Sequence, residues 1–538
     1  MEQISILNTS MDLAQYADRW TFDEKYNCWC LEDVLYTPAA KLPAFQRLSI
    51  FAPRELVNED GTIPAAARSV PVIFVNNAAG YMQMPHTWLG GPRCTAPQYL
   101  EHGWVYVTCG CRGRDSRDET GKLVGKGPSC LIDLKTALRF LRHNRACLPG
   151  DWDRIVSVGS SAGGAMSTLL AVTGDNESYL PLLRENGAFL EESDAIWAAQ
   201  IYCPIIDLEH ADIAYEWMFR KDAVSEEGAL KPFQTALSPV LAKRYIQYFN
   251  SLKLKDPVTG ETLRLNEDGR SGSGYDYLMA RLDDSATDYL NRLQQGRLSQ
   301  KYSVEDYLSG NYTYMTRAPR PPRPPQKEAD TLTPGEKMLR PPKGQQVAPS
   351  DPPMVEAHGT DKHAWLTWNG VRAHISDLDS YVLNHRRRMK PCTSFDRLTM
   401  DSGENQAFGT PETDYVHYNG DLADAVAELA EQFPEEAAQY ANAFVQAKGD
   451  KTLAERVRLY NPLAFIGTGE KSRQAAHYRI RVGASDADTS FMIAMTLALR
   501  LANAGLGSVD YALVWEQPHC EADYPGEVCA WIEALCEK

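Results

Sequence analysis

The sequence predicts an α/β fold, with a mostly parallel sheet flanked by helices and interrupted by a large insertion. Apolar, strand-like runs alternate with segments of helical periodicity over the first 205 residues, and the alternation returns after about residue 455. The residues between are polar and rich in tyrosine and proline. Strands that alternate with helices indicate a parallel sheet. We therefore expect a core formed by residues 1–205 and 456–538, with residues 206–455 as a lid or substrate-binding insertion.

The elements of this core follow from hydrophobic patterning. The helix between the third and fourth strands has leucines at 131, 134, 138 and 141, which form one apolar stripe at helical spacing. The predicted strands are RLSIFAP, VPVIFVN, WVYVTC, RIVSVG and AAQIYC before the insertion, and HYRIRVG and SVDYALVW after it. The predicted helices are LIDLKTALRFLRHN before the insertion, and FMIAMTLALRLANAG and EVCAWIEALC after it.

The insertion contains a proline-rich stretch near 317–353. Residues 319–353 hold 11 of the 32 prolines of the chain and few apolar residues that could pack. Such a composition predicts a flexible loop within the insertion. A ligand for an SH3-type domain is the alternative interpretation of the polyproline run.

Composition and charge exclude several classes of protein. The 538 residues are 43% hydrophobic and 23% charged, as in ordinary globular proteins, and the net charge is -16. This charge repels phosphate backbones and anionic lipid surfaces, so we expect neither a nucleic-acid nor a membrane partner. The longest apolar run is interrupted at Arg500 and Asn503. The N-terminal residues lack a basic and then apolar signal pattern, which predicts a cytoplasmic protein.

No pattern for a metal or a cofactor is present. The 12 cysteines lack zinc-type C-x-x-C spacing, and we interpret them mostly as free, buried thiols. The stretch GTGEKS resembles a phosphate-binding loop, but Ala464 stands where that motif needs a glycine and Glu470 precedes its lysine. We therefore predict no metal and no cofactor. The oligomeric state is left open.

The most informative stretch is DRIVSVGSSAGGAMSTLLAV. A predicted strand leads through Gly159-Ser160-Ser161-Ala162-Gly163 directly into a helix, which is the G-x-S-x-G nucleophile elbow of α/β-hydrolases. Ser161 is the predicted nucleophile, and its own N–H and that of Ala162 are predicted to face a developing oxyanion. A glycine-rich turn at the start of a helix is the alternative.

A serine nucleophile needs a base and an acid, which α/β-hydrolases supply later in the chain. His519 follows the strand SVDYALVW and precedes the last helix, so it is the predicted base; a loop histidine without a role is the alternative. Asp486 follows the strand HYRIRVG and is the predicted acid. Asp488 competes with it, although Asp488 could instead cap a helix that begins near Thr489.

The second oxyanion donor is expected from the loop NNAAGYMQMP, which follows the strand VPVIFV. Ala79 and Gly80 are small enough for their backbone to approach a substrate carbonyl closely. An ordinary tight turn is the alternative for these residues.

Several stretches resemble the bacterial tannases of the α/β-hydrolase superfamily. They are NNAAGYM, CGCRGRDSRDETGKLVGKGPSCLIDLKTALRFLRHN, PGDWDRIVSVGSSAGGAMS, RVGASDADTS and WEQPHC. The resemblance is dense over 70–210 and 455–538 and patchy in the insertion. It implies cleavage of the ester between gallic acid and an alcohol or a second galloyl group, with Ser161, Asp486 and His519 as the triad.

The resemblance also implies a clamp for the galloyl ring. In tannases, a lysine and a glutamate of the lid, with an aspartate two residues after the catalytic one, bind the three phenolic hydroxyls. The matching positions are Lys390 and Glu404 in RRRMKPCTSFDRLTMDSGENQAFG (residues 386–409, the lid segment) and Asp488. Carboxylates accept from phenolic hydroxyls and an ammonium donates to them. For Lys390, a solvated helix face that ends the basic run is the alternative.

One position departs from the fungal relatives. Many of them carry a cysteine before the nucleophile, disulfide-bonded to one after the histidine. Here Cys520 is present but Ser160 replaces its partner, so that bridge cannot form.

Together these features predict a serine esterase that acts on a small phenolic ester, of galloyl or related hydroxybenzoyl type. A feruloyl or general carboxylesterase, or a prolyl-oligopeptidase-like peptidase, is the alternative on the same machinery. A non-catalytic binding protein with this fold is disfavoured because all three triad residue types are present.

Overall fold

Thirteen strands lie in the part of the chain that the structure, a computed structural model, describes: residues 11–14, 19–91, 93–220, 230–317, 354–385 and 388–537. Seven of them precede residue 206, where the predicted insertion begins. The strands are β1 (Thr21–Asp23), β2 (Cys28–Leu35), β3 (Arg47–Pro53), β4 (Pro71–Asn76), β5 (Val105–Cys109), β6 (Asp151–Ser160), β7 (Ala198–Tyr202), β8 (Thr313–Arg317), β9 (Met354–His358), β10 (Leu366–Trp368), β11 (Ala373–Ile375), β12 (His477–Gly483) and β13 (Ser508–Val514).

The main sheet has nine strands in the order β1-β2-β3-β5-β4-β6-β7-β12-β13. From β5 to β13 every neighbouring pair is parallel, whereas β1, β2 and β3 add an antiparallel edge that joins at β5. The seven strands predicted from hydrophobic runs are β3 to β7, β12 and β13. The predicted α/β class with a mostly parallel sheet is therefore confirmed.

The helices include the three that were predicted, which are α2, α14 and α15 below. The described α-helices are α1 (Ala96–Leu100), α2 (Ser129–His143), α3 (Ala162–Val172), α4 (Leu180–Glu185), α5 (Leu208–Phe219), α6 (Pro232–Ser251), α7 (Ser273–Gln294), α8 (Val304–Ser309), α9 (Leu378–Asn384), α10 (Gly403–Ala407), α11 (Gly420–Glu428), α12 (Pro434–Gly449), α13 (Lys451–Tyr460), α14 (Phe491–Asn503) and α15 (Glu527–Cys536).

Both faces of the sheet are covered, as parallel sheets require. Val156 and Val158 of β6 belong to a buried apolar cluster that also includes residues of α1 and α15. Side chains alternate between faces along a strand, so Ser157 faces the other way, where its hydroxyl lies 2.8 Å from that of Ser167 on α3. The helix that follows the elbow therefore packs on the face opposite to α1 and α15.

The chain divides into two compact units. The first comprises Met1–Ser285 and Leu378–Lys538, and the second comprises Ala286–Asp377. Residues 206–285 and 378–455 of the predicted insertion thus belong to the same unit as the sheet. The proline-rich loop predicted near 317–353 lies, beyond Arg317, outside the described residues, so it stays a prediction.

The second unit contains two small antiparallel pairs, β8 with β9 and β10 with β11. Tyrosine rings pack closely within it: the rings of Tyr302 and Tyr312 are 4.6 Å apart, and those of Tyr307 and Tyr312 are 5.3 Å apart. The Lys362 ammonium lies 4.3 Å from the centre of the Tyr307 ring. This cluster accounts for part of the tyrosine richness of the insertion.

Among the helices of the described residues, none is both long and apolar enough to cross a membrane.

Candidate active site

The turn between β6 and α3 has the geometry of a nucleophile elbow. Ser161 stands between them with φ 59° and ψ -121°, a strained conformation for a residue with a side chain. A Cβ atom on Gly159 would lie 2.2 Å from the backbone oxygen of Gly163, and one on Gly163 would lie 2.9 Å from the oxygen of Ala78. Both glycines of G-x-S-x-G are therefore required by close backbone approach.

Ser161, His519 and Asp486 form one hydrogen-bonded series. The Ser161 Oγ lies 2.8 Å from His519 Nε2, and His519 Nδ1 lies 2.8 Å from Asp486 Oδ2. Because a carboxylate can only accept, Nδ1 donates to Asp486 and Nε2 is left to accept from the serine hydroxyl. The structure thus brings together the three predicted triad residues, from the ends of β6, β13 and β12.

The environment of His519 favours its protonated form. Burial opposes the charge and lowers its pKa, but the charge and hydrogen bond of Asp486 outweigh burial, so the net pKa is raised above 6.5. Asp488 raises it further, whereas the ammonium of Lys390 lowers it. Asp486 itself is fully buried, and its Oδ1 accepts a hydrogen bond from the Asp488 N–H at 2.7 Å.

The backbone around the elbow corrects one prediction about the oxyanion donors. The Ser161 N–H donates to the backbone oxygen of Tyr202 at 3.0 Å, in continuation of the pairing between β6 and β7, so it is not directed at a substrate. Ala162 is the first residue of α3, where a backbone N–H has no acceptor within the helix. Of the two N–H groups predicted to face the oxyanion, only that of Ala162 therefore stays a candidate donor.

The loop with Ala79 and Gly80 lies against the elbow, through the contact of Ala78 with Gly163 described above. Gly80 and Tyr81 both have φ 56°, so the loop makes a sharp turn here. Arg114 holds this turn, because its Nε donates to the Gly80 oxygen at 2.8 Å and its backbone N–H donates to the Tyr81 oxygen at 2.7 Å. Arg114 thus holds the backbone of this turn beside the elbow, and a second oxyanion N–H from Ala79 or Gly80 stays a prediction.

Lys390 of the lid segment lies against the loop that carries the acid. Its ammonium donates to the backbone oxygen of Asp488 at 2.8 Å and lies 3.7 Å from the Asp488 carboxylate. The carboxylate is 47% exposed. The alternative role for Asp488, as a helix cap, is wrong: α14 begins at Phe491, and Ser490 caps it by accepting from the Met492 N–H.

Glu404 is half-buried on α10. Burial first, and the charge of Glu404 second, raise the pKa of Tyr81, the residue after Gly80. The preceding residue, Gly403, packs on Arg114, since a Cβ on it would lie 3.0 Å from Arg114 Nε. Of the three predicted clamp residues, Lys390 and Asp488 are thus in contact beside the loop that carries Asp486, whereas Glu404 lies near Tyr81.

Two cysteines lie next to the triad. The Cys520 thiol lies near the Ser160 side chain, and although the residue is exposed, partial desolvation of the thiol raises its pKa to about 11. The donor atoms of Cys203, Asp486 and His519 lie within 4.8 Å of one another, as in a metal site. However, Asp486 and His519 bind each other, and burial raises the pKa of Cys203 and so disfavours the thiolate that a metal needs. We assign no metal to this cluster.

Three residues that position the site were missed in the sequence. Asn76, at the end of β4, donates through Nδ2 to the Gly163 oxygen at 3.2 Å and to the Ser167 hydroxyl at 2.9 Å. Its signal was a polar residue that ends an apolar strand. Arg114 and Tyr215 contact the site from distant parts of the chain, and no local pattern marks them.

Comparisons with known proteins agree with this geometry. The BD-FAE family model matches residues 95–223, which include the elbow. Esterase LipQ of Mycobacterium tuberculosis is 27% identical over 124 residues, which are 22% of this chain and 25% of that protein. The match thus spans only about a quarter of that curated relative.

Solved tannase structures match almost the whole chain. The tannin acyl hydrolase of Lactobacillus plantarum has a TM-score of 0.71 and 29% identity, covering 95% of this chain and 94% of that one. A tannin acyl hydrolase in complex with ethyl gallate has a TM-score of 0.70, 29% identity and the same coverage. The tannase of Fusobacterium nucleatum has a TM-score of 0.70 and 27% identity, covering 95% of each chain. These comparisons identify the chain as a carboxylic ester hydrolase of the α/β-hydrolase fold that resembles the tannases.

Proposed function

We propose that this protein is a serine esterase that hydrolyses galloyl and related hydroxybenzoyl esters through a Ser161-His519-Asp486 triad. The observation that carries the proposal is the hydrogen-bonded series of these three side chains, with Lys390 and Asp488 in contact beside it. The similarity to a tannin acyl hydrolase in complex with ethyl gallate supports the galloyl group as the acyl part.

In the first half of the reaction, Ser161 Oγ attacks the ester carbonyl carbon while its proton passes to His519 Nε2. Asp486 holds the imidazole by Nδ1 and stabilises the imidazolium that forms. The negative oxygen of the tetrahedral intermediate accepts from the Ala162 N–H and from a backbone N–H of the loop with Ala79 and Gly80. The intermediate collapses, the bond to the alcohol oxygen breaks, and His519 gives that oxygen its proton.

In the second half, water attacks the carbonyl carbon of the acyl-enzyme. His519 takes a proton from the water, and the same N–H groups stabilise the second tetrahedral intermediate. The bond to Ser161 Oγ then breaks, and the serine recovers its proton from His519. These steps use the side chains of the chain and water.

Recognition of the acyl ring is assigned to Lys390, Glu404 and Asp488. The half-exposed Asp488 carboxylate and that of Glu404 can accept hydrogen bonds from phenolic hydroxyls. The Lys390 ammonium can donate to a phenolic oxygen. A site built on such groups discriminates against a ring that lacks hydroxyls, because its polar atoms then lose their partners.

The test is a panel of methyl esters of gallic, protocatechuic, 4-hydroxybenzoic, benzoic and ferulic acids. We expect kcat/KM to fall from the gallate ester through the protocatechuate ester to the benzoate ester. Each ring hydroxyl that is lost should lower kcat/KM by about tenfold or more, because the hydrogen bonds to that hydroxyl are lost. Equal values across the benzoate series would exclude the galloyl proposal and leave a general carboxylesterase. Highest activity on ferulate would favour a feruloyl esterase.

A further inference from the structure

Helix α5 joins two parts of the site that are far apart in sequence. Tyr215 on this helix is fully buried, and its hydroxyl donates to the backbone oxygen of Ala487 at 3.0 Å. The same hydroxyl oxygen accepts from the backbone N–H of Lys390 at 3.1 Å and lies 3.3 Å from that of Met389. One phenolic oxygen thus contacts both the lid segment and the loop between Asp486 and Asp488.

Two neighbours of Tyr215 on α5 bind other residues of the lid segment, namely Arg388 and residues 394–396. Glu216 forms a fully buried ion pair with Arg388, and Arg388 Nε donates to the Lys390 oxygen at 2.8 Å. Asp212 accepts from the backbone N–H groups of residues 394, 395 and 396, at 2.7, 2.8 and 2.9 Å. Positions 212, 215 and 216 have the i, i+3, i+4 spacing that places residues on one helix face.

The contacts close a ring around the acyl-binding side of the site. The Lys390 backbone N–H donates to the Tyr215 hydroxyl, which donates to the Ala487 carbonyl. Asp488 follows Ala487 in the chain, and its backbone oxygen accepts from the Lys390 ammonium, which closes the ring. Asp486 depends less on this ring, since its N–H donates to the Gly483 oxygen at 3.0 Å and its carboxylate binds His519 and the Asp488 N–H. Loss of the Tyr215 hydroxyl should therefore disturb Lys390 and Asp488 more than the triad.

We propose that Tyr215 is a positioning residue that sets the separation of Lys390 and Asp488, and thereby the acyl specificity of the enzyme. This inference rests on the proposed galloyl esterase function for its effect on specificity. Its structural part, the attachment of residues 389 and 390 to the acid loop, is independent of the substrate.

The test compares Tyr215→Phe with Tyr36→Phe. Both tyrosines are buried, and each donates to a backbone oxygen at 3.0 Å, but the Tyr36 hydroxyl binds Gly110, outside the clamp. The control therefore loses a matched hydrogen bond without loss of an attachment of the lid segment. If Tyr215 only stabilised the fold, Tyr215→Phe and Tyr36→Phe should give the same results in the two measurements below.

The first measurement is amide hydrogen exchange of peptides that cover residues 388–392. In Tyr215→Phe the amides of Met389 and Lys390 lose their acceptor, so we expect their exchange to accelerate by about tenfold or more, with no such change in Tyr36→Phe. Unchanged exchange of these peptides in Tyr215→Phe would overturn the proposal, whatever the substrate of the enzyme.

The second measurement is kcat/KM on methyl gallate, methyl benzoate and p-nitrophenyl acetate. We expect Tyr215→Phe to lose about tenfold on gallate and to change by less than about threefold on the other two esters. Equal losses on all three esters would overturn a role in specificity. If the wild type does not prefer gallate, the galloyl function fails, and the exchange measurement alone decides whether Tyr215 attaches the lid segment.

Discussion

The ammonium of Lys390 donates to the backbone oxygen of Asp488, a residue 98 positions later in the chain, at 2.8 Å. This contact puts a cation of the lid segment beside the loop that carries Asp486. Its effect extends to the imidazole, because Lys390 lowers and Asp488 raises the pKa of His519. The two residues proposed to bind the acyl ring are thus electrostatically linked to the proposed base.

This link predicts opposite pH shifts for two variants. The base must be neutral to act, so kcat/KM falls as the pH drops through the pKa of His519. Asp488→Asn removes a charge that raises this pKa, so the fall of kcat/KM on the acid side of the pH profile should move to lower pH. Lys390→Ala removes a charge that lowers it, so the fall should move to higher pH. The pH dependence of kcat/KM on p-nitrophenyl acetate measures both, and shifts in the same direction would contradict the assignment.

Asp486→Asn should reduce kcat by about 10⁴-fold, since the imidazole loses both its orientation and the stabilisation of its charge. Loss of the carboxylate charge should also move the acid side of the remaining pH profile to lower pH, because the two largest effects that oppose burial at His519, both from Asp486, are then weakened. Asp488→Asn is the control, and it should remain active on p-nitrophenyl acetate, whose acyl group has no hydroxyls. A dead Asp488→Asn and an active Asp486→Asn on this ester would reverse the two roles.

Ser161→Ala should reduce kcat by about 10⁵- to 10⁶-fold while folding and ligand binding persist. The adjacent Ser160→Ala is the matched control and should have only a mild effect, because the hydroxyl bound to His519 Nε2 is that of Ser161. Initial rates on methyl gallate, with thermal unfolding of both variants, check this prediction. If Ser160→Ala were the inactive variant, the position of the nucleophile would be wrong.

The three candidate triad residues were predictable because each follows a strand whose pattern is local. Ser161, Asp486 and His519 come directly after apolar runs that became β6, β12 and β13, and the carboxyl ends of parallel strands share one edge of a sheet. The strained serine was marked by two glycines. The hydrogen bonds among the three side chains therefore follow from patterns within about ten residues of each.

The supporting residues were not predictable in this way. Arg114, Asn76 and Tyr215 act through hydrogen bonds to segments that lie at least 34 residues away in sequence, and no local motif identifies those partners. The Ser161 N–H was predicted to face the oxyanion, but pairing between β6 and β7 directs it to Tyr202. Such details depend on tertiary register, which no local pattern determines.

Lys390→Ala and Glu404→Ala should flatten the dependence of activity on ring hydroxyls. Each variant should lower kcat/KM on methyl gallate by about 10- to 100-fold, since a phenolic hydroxyl loses a charged partner, and should barely change methyl benzoate. Lys448→Ala, an exposed lysine paired with Asp424, is the control and should behave as wild type. Equal losses on gallate and benzoate would mean that Lys390 and Glu404 support the lid segment and do not bind the ring.

Ser160→Cys should form a disulfide with Cys520. Ser160 and Cys520 are the chain neighbours of Ser161 and His519, whose side chains lie 2.8 Å apart. The Ser160 side chain lies near the Cys520 thiol, so a sulfur at position 160 should come within bonding reach of Cys520. The natural chain has 12 free cysteines; the substitution adds one and the bond removes two, so thiol titration of the oxidised variant should give 11.

The bond should link the elbow to the histidine loop and raise the free energy of unfolding by about 2 to 4 kcal/mol, measured as the difference between oxidised and reduced protein. Because the high pKa of the Cys520 thiol slows exchange at neutral pH, oxidation with oxidised glutathione should proceed faster as the pH rises towards 11. The double variant Ser160→Cys, Cys520→Ser is the control and should show no redox dependence. If Ser160→Cys kept all its thiols under the same oxidant, the elbow and the histidine loop would not approach each other in solution as they do in this structure.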